Sequence, residues 1–191
     1  MDTTTEIDQD RAILAAVAGG DHGALKRLYG RHSVRVFRFL MRITQNKASA
    51  EELMNEVFLD IWRHAGRYEG RSAPTTWMLA IAHNKAVSSL RKRRETTGLD
   101  DDAITAAPDL GDTPEATAQK ADTGRIIAEC LGRLSPDHRE IVELVYYQER
   151  SVEEAAAILA IPANTVKTRM FYARKKLAEL LKARGVERGW P

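Results

Sequence analysis

The sequence predicts an all-α protein made of two small helical domains joined by a flexible acidic linker. Apolar residues recur every three or four positions through most of the chain, as in amphipathic helices, and no segment alternates like a strand. Acidic residues concentrate in 95–123, between two basic parts. Residues 151–177 have the pattern of two helices joined by a tight turn.

The bulk composition limits the class of protein. The 191 residues suffice for one ordinary domain or two small ones. The sequence has no run of eighteen apolar residues and an acidic N-terminus, so we expect a cytoplasmic protein without membrane insertion. The single cysteine, Cys130, excludes an internal disulfide, and we interpret it as a buried small hydrophobic residue rather than a redox sensor.

The charge is unevenly distributed, although its net value is only +2. Residues 1–94 carry a balance of +6, residues 95–123 one of −7, and residues 124–191 one of +3. Two basic parts around an acidic segment indicate a polyanionic partner. The acidic segment also holds two glycines and two prolines, and it has too little apolar surface to offset chain entropy.

The N-terminal part is predicted to form four helices, because apolar stripes recur at helical spacing. They cover residues 13–18, 25–43, 48–62 and 75–94. In the third helix Glu52, Glu56 and Asp60 form an acidic outward row, and Ser49 with Glu52 fits a capping box. The expected core positions of the fourth helix are Trp77, Ile81, Val87 and Leu90.

The C-terminal part is predicted to form four shorter helices from about Gly124. Ser135-Pro136 starts the second of them, and Pro162 suits the first position of the last. In that last helix one face is apolar, with Val166, Met170, Ala173 and Leu177. The opposite face is polar and cationic, which suits the DNA major groove.

These segments together resemble the extracytoplasmic-function (ECF) class of sigma-70 family sigma factors, the bacterial initiation subunits of RNA polymerase. The resemblance to sigma domain 2 lies in the segments SAEELMNEVFLDIWRHAGRYEG and TTWMLAIAHNKAVSSLRKRR. Sigma domain 4 is resembled by LSPDHREIVELVYYQERSVEEAAAIL and IPANTVKTRMFYARKKL. The resemblance implies domain 2 over 10–94, the acidic linker over 95–123 and domain 4 over 124–185.

The resemblance also implies residue roles. The residues that the resemblance implies in core polymerase binding are Asn55, Glu56, Leu59, Asp60 and Arg63. Contacts to the −10 element, where an extruded base must be captured, fall to Tyr68, Arg71, Ser72, Asn84, Lys85, Ser88, Arg91 and Arg93. Contacts to the −35 element fall to Thr165, Lys167, Thr168, Arg169, Phe171, Tyr172, Arg174 and Lys175.

The expected partners are core RNA polymerase, through its clamp coiled coil and flap, promoter DNA and a cognate anti-sigma factor. We expect no enzymatic activity, no cofactor and no metal, because the sequence has no phosphate-binding loop, HExxH motif or other catalytic cluster. One alternative is a helix-turn-helix regulator that binds DNA without polymerase. Another is an adaptor that binds protein through the acidic third helix.

Overall fold

The computed structural model describes residues 3–97 and 118–186, and over these residues the chain is helical without strands. The helices are α1 (Thr3–Ala18), α2 (His22–Thr44), α3 (Lys47–His64), α4 (Pro74–Thr97), α5 (Ala118–Gly132), α6 (Pro136–Val142), α7 (Val152–Leu159) and α8 (Ala163–Ala183). A 3-10 turn, Ala65–Arg67, follows α3, and a π-helical turn, Glu143–Tyr147, continues α6. The all-α fold class is confirmed. Within the described residues, no helix has the length and apolar character that a bilayer crossing requires.

Short polar residues start the N-terminal helices. The Asp21 carboxylate accepts the Ala24 N–H at 3.0 Å and begins α2. The Asn46 side chain accepts the Ser49 N–H at 2.9 Å and begins α3. The capping box expected at Ser49 is therefore wrong, because Asn46 caps the helix and Ser49 already lies inside its first turn.

The helix-turn-helix has the capping box that α3 lacks. The Ser151 hydroxyl accepts the Glu154 N–H, and the Glu154 carboxylate accepts the Ser151 N–H. Ala160 ends α7 with φ +53°, in the left-handed region. The sequence predicts Pro162 as the first residue of the last helix. In the structure Pro162 is instead the N-cap of α8, and the helix begins at Ala163.

Helix α2 is the centre of the N-terminal bundle, since it packs against α1, α3 and α4. The buried side chains of this bundle include Leu14, Leu28, Val36, Phe39, Leu40, Val57, Ile61, Met78 and Leu79. Trp77, Ile81 and Leu90 pack against this core, as predicted. Val87 is 43 % exposed, so its predicted core position is wrong.

A second buried cluster joins α5, α6 and α8. It contains Cys130, Leu131, Leu134, Val142, Ala173, Leu177 and Leu181. Cys130 is buried as predicted, and its burial raises the pKa of the thiol. A buried neutral thiol is a poor nucleophile, which agrees with a packing role.

The N-terminal and C-terminal helices also pack directly on each other, which the sequence did not predict. Helix α7 lies along α4, and α6 contacts α2. The main apolar cluster continues across this contact from the N-terminal core to Ile141, Leu144 and Ile158. Of the predicted linker, residues 98–117 lie outside the described part of the chain, while its two ends belong to α4 and α5.

Candidate nucleic-acid interface

The loop before α4 is closed by Tyr68. Its hydroxyl donates to the Ser72 carbonyl oxygen at 2.5 Å, and its ring centroid lies 5.5 Å from that of Trp77. Gly70, between the two hydrogen-bonded residues, has φ +72°. Arg71 is exposed and forms an ion pair with Glu69. Of the predicted −10 residues in this loop, Tyr68 is therefore held against the start of α4 and bonded to Ser72, whereas Arg71 extends into solvent.

Along α4, a polar stripe continues from this loop. Asn84, Ser88 and Arg91 are exposed and follow one another at helical spacing. Arg93, near the helix end, is exposed as well. The stripe offers hydrogen-bonding groups in its middle and guanidinium groups at its end, which is the order needed to hold a base and the phosphates beside it.

A cleft of about 630 Å³ separates this stripe from α3. Its lining residues are Glu52, Leu53, Glu56, Asp60, Ile81, Asn84, Lys85, Ser88, Ser89 and Lys92. The structure thus brings part of the predicted polymerase-binding set and part of the predicted −10 set into one cleft. Tyr68, Arg71 and Ser72 do not line it.

Lys85 connects the two sides of the cleft. Its Nζ lies 3.0 Å from Glu56 Oε2 and 3.0 Å from Asp60 Oδ2. The hydrogen bond to Asp60 is the largest influence on the pKa of Lys85; with the bond to Glu56 it raises this pKa, against the opposing effect of partial burial. The ammonium that is predicted to contact the −10 element is therefore engaged by the predicted polymerase-binding carboxylates.

The outer face of α3 combines acidic and apolar character. Leu59 is 46 % exposed, and Asn55 and Arg63 are exposed beside it. Trp62 is fixed by the start of α2, since its ring stacks on His22 with centroids 4.4 Å apart. Such a face repels phosphate and fits a cationic protein surface with an apolar contact point.

Helix α8 presents the predicted −35 residues to solvent. Lys167, Thr168, Phe171, Tyr172, Arg174 and Lys175 are exposed. Phe171 and Tyr172 are in an edge-to-face contact with ring centroids 5.4 Å apart. Val166, Ala173 and Leu177 are buried on the opposite face. The helix therefore packs through its apolar side and leaves its polar and aromatic side free to enter a groove.

Three of the predicted −35 residues differ from the others. Arg169 is bound within the protein, with Nη2 2.8 Å from Asp137 Oδ2 at the start of α6. The Thr168 hydroxyl donates to the Asn164 carbonyl at 2.9 Å. Thr165 is half-buried.

Within the described residues, no group of His, Cys, Asp and Glu is arranged to hold a metal ion.

The sequence analysis missed the residues that join the two helical halves. The Thr76 hydroxyl donates to Glu154 Oε1 at 2.6 Å, and Arg150 Nη1 donates to Thr75 Oγ1 at 3.0 Å. His83 Nε2 lies 3.4 Å from Glu140 Oε2. Each pair is far apart in sequence and belongs to no motif, so periodicity and spacing gave no signal for it.

Comparisons with known proteins match both halves. The Sigma-70 region 2 family model matches residues 28–96, and the Sigma-70, region 4 family model matches residues 124–177. The ECF RNA polymerase sigma factor SigK of Mycobacterium ulcerans is 30% identical over 92% of this chain and 95% of its own length. The RNA polymerase sigma factor CarQ of Myxococcus xanthus is 34% identical over 85% of this chain and 91% of its own length.

Two solved structures share the arrangement of helices. The sigma factor RpoE of Bartonella quintana, in complex with the anti-sigma factor NepR, has a TM-score of 0.68 and 25% identity, covering 82% of this chain and 96% of that one. CnrH, in complex with the cytosolic domain of CnrY, has a TM-score of 0.67 and 24% identity, covering 91% and 97%.

Proposed function

This chain belongs to the ECF sigma factors of the sigma-70 family, and we propose that it binds core RNA polymerase, directs it to specific promoters and stabilises strand opening at the −10 element. The observation that carries the proposal is the cleft between α3 and α4. There, a face suited to a cationic protein adjoins a stripe suited to DNA. A regulator that only reads DNA needs no such second surface.

The outer face of α3 is the proposed contact with the polymerase clamp coiled coil. Leu59 supplies exposed apolar area, Glu56 and Asp60 supply negative charge, and Asn55 and Arg63 frame them. Complementary charge speeds association and fixes the register, while the apolar residue contributes to holding the complex together. We also propose a contact between domain 4 and the polymerase flap.

The stripe on α4 is the proposed −10 surface. Asn84 can donate and accept hydrogen bonds to a base edge, and Ser88 adds a hydroxyl one helical turn further. Extruding a base costs a few kcal/mol, which such contacts must offset. Arg91 and Arg93 supply the charge for the neighbouring phosphates.

Helix α8 is the proposed −35 reader. Lys167 and Thr168 lie near its N-terminal end, which is the part of a recognition helix that contacts base edges. Phe171 offers an apolar contact of the kind that a thymine methyl accepts. Arg174 and Lys175 lie further along and suit phosphates, which position the protein without specifying sequence.

An anti-sigma factor is the proposed inhibitor. The RpoE relative, 25% identical, was solved in complex with an anti-sigma factor, and its fold matches this chain over both helical halves. The exposed Leu59 is an apolar group that such a partner could cover. The proposal places the chain among sigma factors that are active only after release.

Core polymerase binding tests the proposed function. We expect Leu59→Ser to weaken binding of the full chain to purified core polymerase about tenfold, because truncating an interface residue that contributes to binding costs more than about 1 kcal/mol. Val34→Ser is the matched control, since Val34 is 59 % exposed on α2, outside the proposed surface. Equal affinities of wild type and both variants would contradict the assignment of α3.

A further inference from the structure

Arg169 differs from the other cations that the resemblance assigns to the −35 element. Lys167, Arg174 and Lys175 are exposed, and within the described residues none of the three is held in an ion pair. The Arg169 guanidinium instead lies against the start of α6, with Nη2 2.8 Å from Asp137 Oδ2. Its side chain is only 29 % exposed. One cation of the −35 set is therefore already bound by an acid of the same domain.

Arg169 lies on the flank of α8. Because an α-helix turns by about 100° per residue, Arg169 stands between the buried face, with Val166 and Ala173, and the exposed Tyr172. When a recognition helix lies in the major groove, its flanks run beside the sugar–phosphate backbone. A free guanidinium at this position would hold a phosphate, which adds affinity without sequence information.

Asp137 keeps its charge at the edge of the same surface. It belongs to the first turn of α6, where an acid interacts favourably with the helix dipole, and its side chain is 59 % exposed. Helix α6 packs along α8, so the carboxylate is fixed beside Arg169. The pair has no net charge, and it therefore attracts a phosphate much less than a lone guanidinium would.

We propose that Asp137 sets the strength of the −35 contact: it holds Arg169 away from the DNA backbone and keeps α8 weaker on DNA than its cations alone would make it. This inference rests on the proposed function and adds a determinant of affinity to the same surface. A phosphate contact strengthens binding to every DNA sequence, so the pair limits retention of the chain on DNA outside promoters.

A weak −35 contact suits a chain with two DNA-binding surfaces. When two sites are tethered, the second binding event is intramolecular, and the overall affinity exceeds that of either site by roughly 10²–10⁴. Weak single contacts are then sufficient at a promoter that engages both surfaces. Random DNA is held by phosphate contacts alone, and each contact that the protein withholds speeds its release.

The test is the affinity of the full chain for a short random-sequence duplex, measured by fluorescence anisotropy over a range of salt concentrations. We expect Asp137→Asn to bind about eightfold more tightly at about 0.1 M salt and to steepen the log–log salt slope by about 0.9, since the freed Arg169 gains one phosphate contact. Asp8→Asn is the matched control. It makes the same charge change and frees Arg11 on α1, which Asp8 binds at 3.4 Å, so it should stay within about twofold of the wild type.

A double variant shows whether Arg169 is the cation that Asp137 withholds. Asp137→Asn with Arg169→Met removes both charges of the pair and should bind the random duplex within about twofold of the wild type. A double variant as tight as Asp137→Asn would overturn the proposal, and so would an Asp137→Asn chain with unchanged affinity and salt slope.

A second variant keeps the test independent of the stability of α6. Asp137→Ser also frees Arg169, and serine is favoured near helix starts. Thermal unfolding followed by circular dichroism identifies which of the two variants keeps the wild-type stability. The one that does should show the tighter binding and the steeper slope, and a stable variant without them would contradict the proposal.

The polymerase complex separates this inference from the proposed function. With core RNA polymerase bound, Asp137→Asn should remain on the random duplex about eightfold longer than the wild type. Equal half-lives would overturn the role of Asp137 in limiting retention. Failure of the wild type to bind core polymerase would instead overturn the proposed function, while the titration of the free chain would still decide whether Asp137 withholds Arg169 from DNA.

Discussion

Lys85 Nζ and Asp60 Oδ2 lie 3.0 Å apart, and this ion pair joins the proposed DNA-binding helix to the proposed polymerase-binding helix. Glu56 adds a second carboxylate at the same distance. The family resemblance assigns Lys85 to the −10 element and the two acids to polymerase. The structure shows that one ammonium is shared by the two carboxylates across the cleft, which leaves the cluster with a net negative charge.

Lys85→Met is predicted to affect the two activities in opposite directions. Freed carboxylates should bind a cationic polymerase surface about two- to fivefold more tightly, since a partly exposed ion pair is worth roughly 0.2–1 kcal/mol. Open-complex formation should weaken, because a phosphate contact is lost. Titration of core polymerase and permanganate footprinting measure the two effects. Lys26→Met, which removes the same charge at an exposed position of α2, is the control. Parallel weakening of both activities would show that Lys85 only supports the fold.

Tyr68→Phe is predicted to impair strand opening while core binding is retained. The lost hydrogen bond to the Ser72 carbonyl is worth about 1 kcal/mol, or about fivefold in open-complex stability, if that loop holds the extruded base. Asn84→Ala should give the same pattern from the middle of α4. Half-lives of heparin-resistant complexes measure the effect. Unchanged half-lives in both variants would exclude this loop and stripe from opening.

Lys175→Ala and Phe171→Ala are predicted to separate affinity from specificity. Removing Lys175 should weaken DNA binding evenly and reduce the log–log salt slope by about 0.9, because one phosphate contact is lost. Removing Phe171, which is 65 % exposed, should weaken the specific site and spare random DNA. Salt titrations on both DNAs measure this. Equal losses on both DNAs for Phe171→Ala would contradict a reading role.

The packing of the two helical halves on each other is predicted to weaken as pH rises above 4.5. Burial is the largest influence and raises the pKa of Glu143, against the opposing effects of Gln148 and the α2 cations Arg42 and Arg38. Separating the two halves exposes the carboxylate and returns its pKa towards 4.5, so the packed arrangement binds the proton more tightly. The stabilising contribution of protonated Glu143 is complete below pH 4.5 and is lost as the pH rises through the raised pKa of Glu143.

Glu143→Gln should remove this dependence, because the amide does not titrate and can still bond Gln148. Glu154 does not contribute to the pH dependence above 4.5. Burial, the largest single influence, raises the pKa of Glu154, but the hydrogen bonds, of which the one from Thr76 is the strongest, and the charge of Arg150 together lower it. Its contribution is therefore lost only below pH 4.5. The distance between spin labels at Lys26→Cys on α2 and Lys182→Cys on α8, two exposed positions, is measured against pH in a Cys130→Ala background. An identical pH profile for Glu143→Gln would show that another group controls the contact.

Local patterns predicted most of the helices and the exposed faces of α3 and α8. Helical periodicity is a property of neighbouring residues, so Val166, Ala173 and Leu177 could be placed together from sequence. The Ser49 capping box failed because Asn46, three residues earlier, offers a competing cap. The predicted core position of Val87 was wrong because an apolar residue near the edge of the apolar stripe of α4 can face solvent.

Contacts between distant segments could not be predicted in this way. The residues Thr76 and Glu154 are 78 positions apart, and nothing near either residue specifies the other. The same holds for Arg42 and Glu143. The sequence therefore indicated two domains and their surfaces, whereas the contact between the domains emerges only from the packing of α6 and α7 on α2 and α4.

Transcription in vitro tests the central claim most directly. Purified core RNA polymerase, the full chain and fragmented genomic DNA should together give discrete transcript start sites that core polymerase alone does not give. The start sites should share one −35 and −10 sequence pair, and their transcripts should fall several-fold with Leu59→Ser when the chain is present near its wild-type dissociation constant. A wild-type chain that remains folded yet produces no new start site would contradict the account.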